Sequence, residues 1–557
     1  MIERLRIRLM KDWHRPAAFD TCLIFALLLP ISFWIGCSRY NESGPLWPDG
    51  PQYANAAAMI HDWLRSDSLL HPYEFAEQNY ARMPAFHLPY HPPFYPGLLA
   101  LFFTVTGVSY LSARVFVAIC LWLCGCFFYL ILTHSGVRRG TALACSLLLM
   151  TLPEVAFWSR DTMSEVPALW LILAASYFFV VWVKTDRKLA YWTAFGLATA
   201  AFLSRFLTAG ILPAWLAWAL LAGKGRKLMA PWAIAPPFLY ALTGGLWTLA
   251  AIRFSRYETM YGGSPPTTNY ADFWSFKIVA FYAAHLPAMM GWPALILACL
   301  GLLCVVLLRR KSWSDMLWLP WILSYVIFVE VVGIYQEQRY FIYALPAFAG
   351  MIAAIERAPG WISSKYVLPA VAGICLLWNV AAIPGFPRGL VGYETIGREL
   401  ARMRERGNVL VSTMGQADLI FRYRSQAAAP QRTFIRADRT LVIRPPSYSS
   451  AEVRVIAHSS DDVLDIVRRG RVRYLVTCSS ANAGPDMRTP EMAFLDDVAT
   501  NRPDRFELLG VHEVDFGYSK KNFAKVRLWR FTGELPEGNS EIGVVVPTAD
   551  FTIAPAQ

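Results

Sequence analysis

Long apolar runs separated by short turns of alternating charge constrain this chain more than any other feature. The first run, Phe19 to Cys37, follows Arg4, Arg6, Arg8, Lys11 and Arg15. Further runs cover 114–132, 141–158, 168–183, 191–203, 208–221, 231–252, 292–308, 317–333, 341–355 and 366–383. Every second turn is basic: Arg138 and Arg139, then Lys184, Arg187 and Lys188, then Lys224, Arg226 and Lys227. Arg309, Arg310 and Lys311 follow, and then Arg357 and Lys365. The short turns between them carry one such residue each, Arg160, Arg205 and Arg339. Lys and Arg collect in cytoplasmic loops, so the pattern predicts a cytoplasmic N-terminus and about eleven spans, with everything after Gly385 external. Charged residues make up only 17% of the chain, against about 25% in soluble proteins.

The composition sorts the partners. A net charge of +12 would invite nucleic acid in a soluble protein. Here the excess sits in the cytoplasmic turns, so no nucleic-acid partner is expected. Nine of the ten cysteines lie in apolar runs and only Cys478 in polar sequence. That is neither a disulfide framework nor a zinc spacing. The basic N-terminus lacks a small-residue cleavage pattern and is followed by further spans, so it is not read as a signal peptide.

From Gly385 the composition turns to mixed polar and apolar, which divides the chain into a membrane part, 1–385, and a C-terminal soluble α/β domain, 386–557. Thr395 to Arg406 and Asp461 to Arg469 read as helices. Val409 to Thr413, Arg473 to Thr477, Phe506 to Val511 and Val526 to Phe531 read as strands.

The loops on the external side hold the chemistry. Leu46-Trp47-Pro48-Asp49-Gly50-Pro51 places an acid beside the membrane. A carboxylate costs about 2.5–3.5 kcal/mol at the bilayer centre, so Asp49 belongs at the interface or in a protein-walled cavity. Locally, Asp49 also suits the N-cap of an amphipathic helix from Tyr53 to Leu64. The prolines between Pro89 and Pro96 predict a non-helical segment around His91, and Gly97 to Thr106 is too short to span. Arg253 to Gly291 reads as a long external loop with Arg256, Tyr257 and Tyr261. Carboxylates facing arginines suit an anionic lipid phosphate held by guanidinium groups, with a base close to an acceptor hydroxyl.

Asp49 in the first external loop, His91-Pro92-Pro93-Phe94-Tyr95, Ser164-Glu165-Val166-Pro167, and Gln338-Arg339-Tyr340 with Pro346 resemble the C-superfamily (GT-C) membrane glycosyltransferases. The branch holding the protein O-mannosyltransferases and the lipid A aminoarabinose transferases is the most similar. The resemblance covers roughly residues 1–385 and extends to a soluble C-terminal domain. It implies a GT-C-like membrane fold and inverting transfer of a sugar from a polyprenyl-phosphate donor to a lipid, glycan or protein acceptor. The reaction would lie on the extracytoplasmic face, in a bacterial inner membrane.

In that reading Asp49 is the base, with Glu165 and Asp161 as further catalytic acids. His91, Arg256 and Arg339 are implied on the donor phosphate. Tyr53, Tyr257 and Tyr340 are candidate donor or acceptor contacts, although Tyr257 and Tyr340, with Tyr261, fit an interfacial aromatic belt better than a sugar contact. Glu165 has a second reading as an acid favoured at a helix N-terminus, and Arg256 and Arg339 as residues reaching to lipid head groups. Glu165 with Asp49 is a candidate divalent-metal pair. Tyr90, however, stands where some relatives have a metal-binding Glu. A transporter or flippase of a lipid-linked glycan, and a noncatalytic membrane scaffold, are the competing classes. Few charges near span centres argue against transport.

The topology is directly testable. A reporter active only outside the cytoplasm, fused after Phe531, is expected to be active; an inactive fusion would turn the C-terminal domain inward.

Overall fold

The computed structural model describes residues 18–38, 49–86, 91–255, 276–307, 315–332, 337–357, 367–383, 389–427, 432–443, 454–478, 490–515, 523–538, 540–546 and 551–553. Within the described residues, all eleven apolar runs are mainly helical. Three of the described helices are long and apolar enough to cross a membrane: Tyr110–His134, Glu165–Thr185 and Pro231–Ala251. The bent pair Lys277–Met290 and Trp292–Val306, folded by 118°, makes up to four. Other apolar helices, such as Arg139–Thr151 and Leu317–Val331, are shorter.

Breaks in the helices have local causes. The run 141–158 splits into Arg139–Thr151 and Pro153–Trp158. Leu152, just before a proline, leaves the helical region at ψ 132°, as steric clash with the proline ring requires. The run 208–221 begins as a 3-10 turn, Phe206–Gly210, and the run 341–355 is preceded and entered by another, Gln338–Ala344.

Two expectations change. Part of the long loop 253–291 is the helix Lys277–Met290. The Pro-rich segment gives way to helix at Phe94, because Pro96 falls in the first turn of Phe94–Thr106, where a proline removes no intrahelical hydrogen bond.

Most of these helices share one apolar core. Phe179 stacks on Trp215 with centroids 4.6 Å apart. Arg114, buried, donates to the Gly36 carbonyl (3.1 and 2.7 Å) and to that of Ser38 (3.0 Å), satisfying carbonyls left open at the end of Ala18–Cys37. Gly301 lets Trp292–Leu307 approach Leu345–Ala354; a Cβ there would lie 2.0 Å from the Met351 carbonyl oxygen, and such close approach is how small residues join apolar helices.

Residues from 389 onward build a five-stranded sheet in the order 434–436, 408–412, 472–478, 523–531, 506–515. The first three strands are parallel and the last two antiparallel. Strand Val472–Cys478 is almost entirely buried, as expected of a strand covered on both faces. Tyr393–Arg402 and Gln416–Gln426 cover one face, Ser460–Arg469 and Pro490–Asn501 the other. Phe421 of this unit joins the core of the apolar helices, so the two parts of the chain are packed together.

Candidate active site

Four segments far apart in sequence bring charged groups to one place. The helix Asp49–Leu64 begins at Asp49 itself, so this residue lies in the first helical turn rather than before it. Its Oδ2 accepts from Arg339 Nη1 at 3.3 Å, and the Asp49 side chain keeps 28% of its exposure. The same Nη1 lies 3.8 Å from Glu165 Oε1. Glu165 is fully buried at the start of Glu165–Thr185, and its Oε1 is 3.0 Å from Arg205 Nη2. The result is an alternating row, Asp49, Arg339, Glu165, Arg205. Burial lowers the arginine pKa values, and for Arg339 the nearby Arg205 charge does too; Glu165 and the other groups facing the guanidiniums more than offset this and hold both charged.

Hydroxyls and rings fill the spaces around this row. Arg205 Nη1 donates to Tyr53 OH and Ser164 Oγ, each at 3.3 Å, and Ser164 Oγ donates to Tyr53 OH at 3.1 Å. Arg339 Nη2 donates to Tyr340 OH at 3.3 Å, and Glu337 pairs with Arg339 Nε. Both guanidiniums lie over the Tyr340 ring, at 5.5 and 5.1 Å, with attraction from its π face. Arg339 also faces Trp158 at 5.8 Å, whose indole donates to Glu154 Oε1 at 2.6 Å. Tyr340 is therefore part of the buried cluster, not of an aromatic belt, and Arg339, 6% exposed, does not reach for head groups.

His91 rests against Tyr53, ring centroids 4.3 Å apart. Burial, with the Arg205 and Arg339 charges adding to it, pushes its imidazole down to about 3. It is thus neutral, a hydrogen-bonding group rather than a cation, and it stands near both arginines. Asp161 is buried beneath the start of the Asp49 helix. Its Oδ1 accepts from the Thr162 backbone N–H at 2.6 Å and would lie 2.5 Å from a Cβ at position 50. Only glycine at 50 lets the helix start so close to that acid. Tyr95 OH donates to the Thr162 carbonyl at 2.8 Å, fixing the same turn. Arg256 and Tyr257 lie outside the described residues.

Sequence reasoning missed Arg205, Ser164 and Glu154 as parts of the site. Arg205 looked like ordinary turn charge. The signal was its isolation: the single arginines of the three short turns between the basic ones, Arg160, Arg205 and Arg339, are 1%, 8% and 6% exposed. A lone cation in an otherwise uncharged turn is a candidate for burial with a partner.

The metal reading does not fit these residues. Asp49 and Glu165 each face a guanidinium, so a divalent cation would meet two fixed positive charges. Among the described residues no group of three or more His, Cys, Asp or Glu gathers.

Residues 90–248 match the family model described as dolichyl-phosphate-mannose-protein mannosyltransferase. The match takes in His91, Asp161, Glu165 and Arg205. No curated protein sequence matches the chain. Among solved structures it is similar to ArnT from Cupriavidus metallidurans in the apo state (TM-score 0.56, 13% identity, 92% of this chain and 98% of that one). It is similar also to the same protein bound to undecaprenyl phosphate (TM-score 0.53, 11% identity, the same coverage). A third similar structure is the arabinofuranosyltransferase AftD from Mycobacteria (TM-score 0.51, 14% identity, 95% of this chain). The chain spans 43% of AftD's length.

The neutral state of His91 has a measurable sign. The folded imidazole takes up a proton only near pH 3, an ordinary one near pH 6.5. Above pH 6.5 the group has no effect; below it the unfolded chain gains a proton that the folded chain refuses. Stability then falls by about 1.4 kcal/mol per pH unit as the pH drops toward 3. His91→Gln is expected to flatten the decline of thermal stability between about pH 6.5 and 4.5; an unchanged slope would show that His91 is not held neutral. By its likeness to these solved structures, the chain has the fold of ArnT and AftD.

Proposed function

We propose that this protein is an integral membrane glycosyltransferase. It moves a sugar from a polyprenyl-phosphate donor to an acceptor hydroxyl of a lipid, glycan or protein on the extracytoplasmic face of a bacterial inner membrane, with inversion. The observation that carries this is the row Asp49–Arg339–Glu165–Arg205, buried but for the partly exposed Asp49 at its end. Well-packed apolar residues would often be at least as stable as buried ion pairs, so a row of four charges drawn from distant segments points to chemistry. The match of residues 90–248 to the mannosyltransferase family supports the reaction class.

Each residue has a role in the reaction. Arg339 and Arg205 receive the donor phosphate, with neutral His91 adding a hydrogen bond. The phosphate takes over guanidinium donors now spent on carboxylates, which leaves Asp49 Oδ2 to face the acceptor. Asp49 removes the hydroxyl proton while that oxygen bonds to the anomeric carbon. The bond from that carbon to the phosphate oxygen breaks, and polyprenyl phosphate leaves. A single displacement inverts the centre. The arginines neutralise charge that builds on the departing phosphate, so they act in the transition state as well as in binding. Glu165, wholly buried between two guanidiniums, holds their geometry. Asp161 fixes the turn from which Asp49 projects. Tyr53 and Tyr340 orient the arginines and line the donor side.

The test is Asp49→Asn in full-length protein reconstituted in liposomes, with a panel of undecaprenyl-phosphate-linked sugars and acceptors. Asn keeps the shape but takes no proton. Turnover is expected to fall by roughly 10²–10⁴-fold, while thermal stability and binding of undecaprenyl phosphate stay near wild type. Turnover within a fewfold of wild type would remove Asp49 as the base.

A further inference from the structure

The helix that carries Asp49 is held from outside the membrane part of the chain. Helix Gln416–Gln426, in the C-terminal α/β unit, lies along Asp49–Leu64. Asn55, fully buried, donates from Nδ2 to the Pro51 carbonyl at 2.8 Å and to the Ala417 carbonyl at 2.9 Å. One turn further on, Arg424 donates from Nη2 to the Ala58 carbonyl at 2.8 Å and pairs with Asp62. The Arg424 side chain is 3% exposed. Asn55 is six residues from Asp49, about 9 Å along the helix at 1.5 Å per residue.

The holding helix is itself anchored to the apolar core. Phe421 sits 4.4 Å from the Tyr110 ring and 6.4 Å from that of Phe103. Arg422 lies over Tyr110 at 4.4 Å and reaches Asp418 at 3.4 Å. One short helix therefore touches the Asp49 helix and the starts or ends of two apolar helices. It begins at the turn Gly415, φ 70°, just past the carboxyl end of strand 408–412. That end of a parallel strand is where open α/β sheets usually take a ligand. Here Asn55 meets the carbonyl of Ala417, in the first turn of the helix that follows the strand.

We propose that Asn55 and Arg424 are positioning residues: through them the C-terminal unit clamps the Asp49 helix so that the carboxylate keeps its place on Arg339. This rests on Asp49 being the base. The buried amide and guanidinium are specific where apolar contacts would slide. Each reads a backbone carbonyl at a defined turn, which fixes the register of one helix on the other.

Hydrogen–deuterium exchange on purified full-length Asn55→Ala and Arg424→Ala tests the clamp without a substrate. Amides at 52–62 are expected to exchange about ten- to hundredfold faster, the scale of a lost buried or charged hydrogen bond. Amides at 94–106 and 472–478 should stay within about twofold. Arg424→Lys, which retains the charge opposite Asp62, should recover most of the protection. In turnover, the alanine variants should lose kcat by a similar factor, with donor KM little changed. Unchanged exchange at 52–62 in both variants would overturn the clamp, and so would acceleration across the whole chain. Asp49→Asn run beside them separates the two ideas. If it stays active, the base reading fails and exchange still decides the clamp. If it is inactive while both alanine variants turn over as wild type, the clamp fails alone.

Discussion

Arg339 meets Asp49 and Glu165 as well as its near neighbour Glu337, and the arrangement of the site depends on the first two contacts. Asp49 arrives on the first helix after the first apolar run, Glu165 at the start of a long apolar helix, and Arg339 on a 3-10 turn late in the chain. A buried guanidinium left without a carboxylate is strongly destabilising, by about 3–5 kcal/mol when one partner is removed. The pairs therefore oblige these segments to meet. Arg205 extends the same obligation to a fourth segment through Glu165. Aromatic residues add to the enclosure: both guanidiniums lie over the Tyr340 ring, and Arg339 lies over that of Trp158 as well.

How much of this was legible in sequence follows from what each signal measures. Hydropathy and turn charge report on segments, and every apolar run is mainly helical within the described residues. The strands at 408–412, 472–478, 506–515 and 523–531 were legible for the same reason, since their β-branched and apolar residues and bounding turns are local. Length was less legible. The break at Leu152 needs the clash of a proline with its predecessor, and the helix Lys277–Met290 lies in a stretch whose Arg, Gly and Pro residues read as loop. Asp49, Glu165 and Arg339 were found because they are polar groups at the edges of apolar runs. Arg205 was passed over because its partner, Glu165, is 40 residues away, and no local pattern encodes that contact. The clamp was equally hidden: Asn55 and Ala417 are joined only by the docking of two parts of the chain.

The C-terminal unit thus has a physical place in the site without contributing a charged group to the row. Its two-faced sheet stiffens helix Gln416–Gln426, which is wedged by Phe421 against the apolar core and bonded to the Asp49 helix. Arg439 on Tyr80 and Arg436 on the Pro84 carbonyl add a second attachment, to the helix Pro72–Arg82 and the residues just after it. A short helix such as Asp49–Leu64 is marginal by itself in water; tertiary contacts on several sides give it a fixed direction.

The central claim is spatial: the cationic end of the row receives the donor phosphate while Asp49 stays free for the acceptor. The most direct measurement is an experimental structure of the full-length protein bound to undecaprenyl phosphate. The phosphate is predicted within hydrogen-bond distance of both Arg339 and Arg205, beside His91, with Arg339 drawn away from Asp49. A phosphate bound elsewhere, with the Asp49–Arg339 pair unchanged, would contradict it.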